Sequence, residues 1–240
     1  MFDAEKTYSV IVDWLREKVS AAGAKGGVFG LSGGIDSAVV AGLSKEAFEN
    51  NTLALIMPCH SSKADMEYAN MVAEKFQIRT KTVYLDETFD VLVNELGDDP
   101  FSKSLAVSNI KPRLRMIILY YYATKYDYLV IGTGNKSELT VGYFTKYGDS
   151  GVDLLPLGNL VKNQVRELAK YMGVPDEIIK RPPTAGLWQG QTDEKEMGIT
   201  YEQLDRYILT GKAEKEAAKK IDYMKRKSAH KRQTPPIPSV

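Results

Sequence analysis

The sequence predicts an α/β fold in which helices cover both faces of a parallel, doubly wound sheet. Short apolar runs alternate with segments whose apolar residues recur at helical spacing, as in strand–helix–strand crossover units. The runs are apolar throughout, as expected of strands covered on both faces. The chain has 240 residues, of which 43% are hydrophobic, so we expect a single domain over 1–240.

The elements follow in chain order from these patterns. The N-terminal segment DAEKTYSVIVDWLREKV has helical spacing and acidic residues, unlike a signal or transit peptide. Five strand–helix pairings come next: GGVFGLS with SAVVAGLSKEAF, LALIMP with ADMEYANMVAEKF, TKTVYL with ETFDVLVNEL, YLVIGTG preceded by RLRMIILYYYATKY, and VDLLPL with NQVRELAKYMGV. The prediction is therefore a five-stranded sheet.

The last quarter of the chain differs in composition and lacks the regular strand–helix alternation of the preceding part. Residues 182–200 are rich in Pro, Gly, Gln and charge without a clear period, which predicts a functional loop, here a mobile lid. Residues 212–240 are predicted to form a basic helix and tail. The ordinary interpretation of such a basic segment is a solvated helix face.

Composition excludes several classes of protein. The formal net charge is +1, which gives no general bias toward nucleic acid or anionic membranes. The single cysteine, Cys59, excludes a disulfide framework and a CxxC metal site. No apolar run approaches the ~18–20 residues of a membrane span. We therefore expect a cytoplasmic protein without a nucleic-acid or membrane partner.

The segment SGGIDS at residues 32–37 follows a predicted strand and opens a predicted helix. Such a turn presents unpaired backbone N–H groups at the positive end of the helix dipole, which is a phosphate site. It lacks the lysine of a Walker A loop, and its glycines do not have dinucleotide-fingerprint spacing. Asp36 in such a turn would repel phosphate unless Mg²⁺ lay between them. The alternative is that Asp36 and Ser37 only cap the helix.

SGGIDS after a buried strand resembles the phosphate loop of the N-type ATP pyrophosphatases. Three further blocks, NIKPRLRM, IGTGNKSELTVGYFTKYGDSGVDLLPLGNLVK and RPPTAGLWQGQTDE, together with the pair at 230–231, resemble the NAD synthetase family in order. The resemblance implies strand order 3-2-1-4-5, ATP as co-substrate, Mg²⁺ and a homodimer. It also implies adenylylation of deamido-NAD followed by amidation with ammonia, the final step of NAD biosynthesis.

The resemblance also implies roles for individual residues. Asp36 and Glu138 would hold Mg²⁺. Lys162 would supply the positive charge for binding phosphate that the loop itself lacks. ATP would contact Gly30, Leu31, Ser32, Gly33, Gly34, Ile35, Asp36, Ser37, Thr133, Lys162 and Thr184. Deamido-NAD would contact Arg113, Lys146, Asp153, His230 and Lys231. The chain departs from the common family pattern at Gly134, Ser150 and Gly186, but none of these removes a proposed metal or phosphate contact.

The chemistry requires a base as well, because ammonia is mostly ammonium at neutral pH. Asp149 is our candidate for this base, so the predicted catalytic residues are Asp149 and Lys162. The length leaves no room for an amidase domain, so we expect free ammonia as donor, with a separate glutaminase left open. Two rivals remain: a tRNA-modifying or sulfur-transferring enzyme that uses the basic tail for RNA or Cys59 as a sulfur carrier, and a non-catalytic nucleotide-binding regulator.

Overall fold

The structure is a computed structural model that describes residues 2–188 and 190–239. Gln189 of the predicted lid, and the two terminal residues of the predicted domain, lie outside the described residues. The described part contains a parallel sheet of four strands in the order β3-β2-β1-β4. The strands are β1 (Gly26–Gly30), β2 (Thr52–Ile56), β3 (Arg79–Thr82) and β4 (Tyr128–Val130). The predicted fold class is confirmed.

The predicted fifth strand, VDLLPL, is reduced to a single bridge. It lies beside β4 in the expected position, where Leu154 pairs in parallel with Ile131. The side chain of Asp153 accepts the N–H of Val130 at 2.8 Å, so a carboxylate occupies a place in the ladder. Pro156 has no backbone N–H to donate to a neighbouring strand, which ends regular pairing with β4. The expectation of five full strands was therefore wrong by one strand, while the order was right.

Helices occupy the segments before, between and after the strands. Their bounds are α1 (Ala4–Ala21), α2 (Ile35–Phe48), α3 (Lys63–Lys75), α4 (Asp86–Glu95), α5 (Leu105–Ser108), α6 (Ile110–Tyr126), α7 (Lys136–Val141), α8 (Lys162–Tyr171), α9 (Asp176–Ile179), α10 (Asp193–Met197), α11 (Tyr201–Thr210) and α12 (Lys215–Lys227). Helix α12 lies within 212–240, the segment predicted to form a basic helix and tail. None of the helices described in 2–188 and 190–239 is both long and apolar enough to cross a membrane.

Two buried clusters lie on opposite faces of the sheet. One joins the sheet to α1, α2 and α8, and the other joins it to α4 and α6. Helix α2 is buried along most of its length, as its central apolar run AVVAGL predicts. At Gly42 a Cβ would lie 2.4 Å from Met172 Cε, so this glycine permits the close approach of α2 to the end of α8.

A third buried cluster lies beneath the predicted lid. It joins α7, α10, α11 and α12 through Val141, Met197, Tyr201, Leu204 and Ile221. The lid is therefore not structureless, because it contains the short helix α10 and contributes Met197 and Ile199 to this cluster. A helix of five residues is too short to produce a readable period, which is why the sequence predicted only a loop.

Candidate active site

The SGGIDS turn lies between β1 and α2. Gly34 is the N-cap of α2 and makes no side-chain capping bond, while the Ser37 hydroxyl donates to Gly34 O at 2.9 Å. The Ser32 and Ser37 hydroxyls are 3.1 Å apart and brace the turn internally. Asp36 makes its contacts elsewhere, as described below. These contacts count against the alternative that Asp36 and Ser37 only cap α2, and they leave the first-turn N–H groups suited to a phosphate.

Gly33 gives this turn its shape. Its φ is +78°, in the left-handed region that favours glycine, and a Cβ there would lie 2.6 Å from the carbonyl oxygen of Asp65. The turn therefore sits tightly against the start of α3. Both observations explain why a glycine occupies this position.

A cavity of about 450 Å³ opens beyond the carboxyl ends of β1, β2 and β4. Ligands of open α/β sheets bind at this edge, where the strand order reverses. Most of the predicted site residues line the cavity: Gly30, Leu31, Ser32, Gly34, Ile35, Asp36, Ser37, Thr133, Glu138, Asp149, Lys162, Thr184 and Lys231.

The remaining predicted residues lie outside the cavity wall. Arg113 donates to Lys146 O at 3.4 Å, and Lys146 Nζ donates to His230 O at 2.9 Å, so these three form one surface strip. Asp153 accepts from the Tyr120 hydroxyl at 2.9 Å and from Val130 N. Asp153 therefore has a structural role beside β4, and its role in substrate binding stays a prediction.

Lys162 connects the two carboxylates predicted to hold a metal. The lysine is 2% exposed, and its Nζ donates to Asp36 and, at 3.3 Å, to Glu138 Oε1. Burial opposes the charged lysine, but the charges of Asp36 and Glu138 outweigh it and raise the pKa of Lys162. Burial raises the pKa of Glu138 to about 7 against the attraction of Lys162, with repulsion from Asp36 adding to the shift.

Two residues that the sequence reasoning missed hold this centre in place. Asn135 is fully buried, donates from Nδ2 to Asp36 Oδ1 at 2.9 Å, and caps α7 by accepting from Glu138 N at 3.1 Å. Asp205 accepts from the Ser137 hydroxyl and from Asn163 N, so it ties together the first turns of α7 and α8. The Asn135 capping signal is readable from the sequence, but neither long-range contact is.

Asp149 faces the cavity from the turn after α7. Its Oδ1 accepts from Thr145 N at 2.8 Å. Desolvation by the surrounding protein raises the pKa of Asp149, although backbone N–H groups and the charges of Lys231 and Arg115 oppose the rise. A carboxyl group with a raised pKa inside a cavity is suited to accept a proton.

The donor set of Asp36 and Glu138 suits a hard divalent cation. Mg²⁺ is commonly bound by one or two carboxylates, with phosphate oxygens and water as its other ligands. Within 2–188 and 190–239, no group of three His, Cys, Asp or Glu residues is arranged to hold a metal by itself. The residues therefore fit a metal that arrives with a polyphosphate.

Cys59 does not have the character of a sulfur carrier. It is fully buried behind the end of β2, and burial raises the pKa of its thiol to about 11. A reactive cysteine requires an accessible thiolate. The structure therefore counts against the sulfur-transfer alternative.

Comparisons with known proteins agree with this geometry. The parallel sheet, the lysine-free phosphate loop and the charged cavity define a nucleotide-binding α/β enzyme. The family model described as NAD synthase matches residues 7–235, so the chain belongs to the NAD synthase family. The predicted family is confirmed.

Individual relatives cover nearly the whole chain. An NH3-dependent NAD⁺ synthetase from Carboxydothermus hydrogenoformans is 52% identical over 240 residues, which is 98% of each chain. The structure of NMN synthetase from Francisella tularensis is 39% identical with a TM-score of 0.95. That of NH3-dependent NAD synthetase from Campylobacter jejuni is 32% identical with a TM-score of 0.81. Both structures match over 100% of each chain.

Proposed function

We propose that this protein uses ATP and ammonia to convert the nicotinate carboxylate of deamido-NAD into the carboxamide of NAD. The observation that carries the proposal is the position of Lys162, which contacts Asp36 and Glu138 beside a phosphate loop that has no lysine of its own. The full-length similarity to NH3-dependent NAD⁺ synthetases confirms the predicted class of enzyme.

The first step forms an acyl adenylate. A carboxylate oxygen attacks the α-phosphorus of ATP, and the bond to the bridging oxygen breaks to release pyrophosphate. The N–H groups of the 32–37 turn and the ammonium of Lys162 stabilise the negative charge that grows on the leaving group. Mg²⁺ held by Asp36 and Glu138 would neutralise further phosphate charge.

In the second step ammonia attacks the acyl carbon and AMP leaves. Asp149 binds ammonium from the cavity side and accepts its proton before the attack. The segment 182–200 covers the adenylate and excludes water. The strip of Arg113, Lys146 and His230, together with Lys231, contacts the dinucleotide, while Thr133 and Thr184 contact ATP.

The proposal extends to assembly and location. Ile117 and Tyr121 on α6 are each 56% exposed, which leaves large apolar side chains available to a second copy of the chain in a homodimer. A cytoplasmic location is supported by the single cysteine, which fits a reducing compartment.

The test is pyrophosphate release with deamido-NAD against a panel of other carboxylates, each with and without ammonium. We expect release that requires deamido-NAD and NAD formation that also requires ammonium. The Asp149→Asn variant should retain adenylylation and lose most amide formation. Pyrophosphate release that does not depend on deamido-NAD would contradict the proposed function. Near-normal amidation by the Asp149→Asn variant across the pH range would contradict the role of Asp149.

Nicotinate mononucleotide is a second candidate acceptor. The structural match with a TM-score of 0.95 bears the name NMN synthetase, and that product carries the same amide. The chemistry of the site is unchanged, because the reacting carboxylate is the same. Comparing kcat/KM for the mononucleotide and the dinucleotide decides between the two acceptors.

A further inference from the structure

Tyr201 is the first residue of α11 and directly follows the lid 182–200. Its side chain is fully buried. The hydroxyl donates to Asp193 Oδ2 at 2.9 Å and lies 3.3 Å from Glu138 Oε1. The ammonium of Lys162 lies 5.0 Å from the centre of the ring. One side chain thus contacts the lid, the proposed metal ligand and the catalytic lysine.

Asp193 depends on this hydroxyl. The carboxylate belongs to the lid and is 4% exposed. Among residues 2–188 and 190–239, its Oδ1 has no hydrogen-bond partner, and the donor bonded to Oδ2 is Tyr201. A buried carboxylate that loses its donor is left unpaired at a cost in free energy, and an outward shift of the lid segment that carries Asp193 would return it to water.

We infer that Tyr201 is a positioning residue that couples the lid to the Lys162–Glu138 centre through its hydroxyl group. This inference rests on the proposed function. With Asp193 anchored, the lid stays over the acyl adenylate. With the anchor lost, water reaches the acyl carbon, breaks its bond to the phosphate oxygen and releases AMP, and the product is the original carboxylate instead of an amide.

The variant Tyr201→Phe removes the hydroxyl and keeps the ring in the third cluster and beneath Lys162. Tyr207→Phe is the matched control, because Tyr207 lies on the same helix and its hydroxyl bonds Asp222 at 2.9 Å, away from the cavity. The measurement is the ratio of AMP to NAD formed at subsaturating ammonium. We expect the ratio of Tyr201→Phe to exceed that of wild type by about tenfold, while Tyr207→Phe matches wild type.

A second readout does not use catalysis. Lys195 is exposed on the lid, so trypsin cleavage after it reports lid opening with ATP alone. We expect faster cleavage in Tyr201→Phe than in wild type and Tyr207→Phe. If Tyr201→Phe fails to fold, Asp193→Ala removes the same bond from the lid side and should behave alike.

An unchanged AMP to NAD ratio together with unchanged cleavage in a folded variant overturns the inference. If the wild type releases no AMP with deamido-NAD, the proposed function fails. The cleavage assay then still decides the coupling, because it depends only on ATP and the lid.

Discussion

Lys162 and Asp36 form an ion pair across 126 positions of sequence, in which the lysine side chain is 3% exposed and the aspartate side chain 17%. The pair joins the first turn of α8 to the first turn of α2, and so brings a cation to a phosphate loop that carries none. Glu138 shares the same ammonium. The arrangement supports the proposal that a loop with an aspartate in place of a lysine binds a polyphosphate.

The substitution Lys162→Met tests this arrangement. It leaves the partly exposed carboxylates of Asp36 and Glu138 without their cation, so we expect the unfolding free energy to fall, by less than the about 3–5 kcal/mol typical of a fully buried pair. We also expect pyrophosphate release to fall by about 100-fold or more. Lys180→Met is the control, because its ion pair with Asp176 is exposed and contributes little. Equal effects of the two substitutions would contradict the account.

The side chain of Asn135 makes two different contacts, and substitutions can test them separately. Its amide orients Asp36, and its side-chain oxygen caps α7. Asn135→Ser keeps a capping oxygen but cannot reach Asp36, whereas Asn135→Ala loses both. Urea unfolding should show Ala less stable than Ser by about 0.5–2 kcal/mol, with both variants impaired in pyrophosphate release. Full activity in the Ser variant would exclude the orienting role.

Gly33→Ala tests the steric argument for the loop. The new Cβ would meet Asp65 O at 2.6 Å and would also occupy the left-handed region. Gly23→Ala is the control, since Gly23 has a φ of +68° with nothing within 4 Å of a Cβ. Thermal unfolding should show a greater loss for Gly33→Ala, and ATP affinity should fall only in that variant. Similar losses in both would mean that φ, and not the contact, explains the glycine.

The Cys59 thiol provides a test by pH. Its pKa is raised from 9.0 to about 11 by burial, so between these values the folded state holds a proton that the unfolded state releases. Unfolding free energy should therefore fall as pH rises from 9 to 11, and Cys59→Ala should reduce this fall. Alkylation by iodoacetamide at pH 8 should be slow. Rapid alkylation of the Cys59 thiol in the folded protein would contradict its burial and would support the sulfur-carrier alternative.

The sequence was most informative where a local pattern determines a local structure. SGGIDS predicted the turn between β1 and α2, and Asp36 within it pointed to Mg²⁺, while Lys162 came from the family resemblance and not from any local pattern. It was less informative where tertiary contacts decide: Asp153 and Pro156 reduce the fifth strand to a bridge, and α10 is too short to give a period. From the sequence, Tyr201 is simply the first residue of a predicted helix. Its hydroxyl lies close to Glu138 only because of the tertiary fold.

The central claim is that the substrate carboxylate attacks the α-phosphorus of ATP. Deamido-NAD labelled with ¹⁸O in both carboxylate oxygens tests it directly, with AMP, pyrophosphate and NAD analysed by mass spectrometry. The account predicts one labelled oxygen in AMP, one in the amide carbonyl of NAD and none in pyrophosphate. Unlabelled AMP, or label in pyrophosphate, would contradict it.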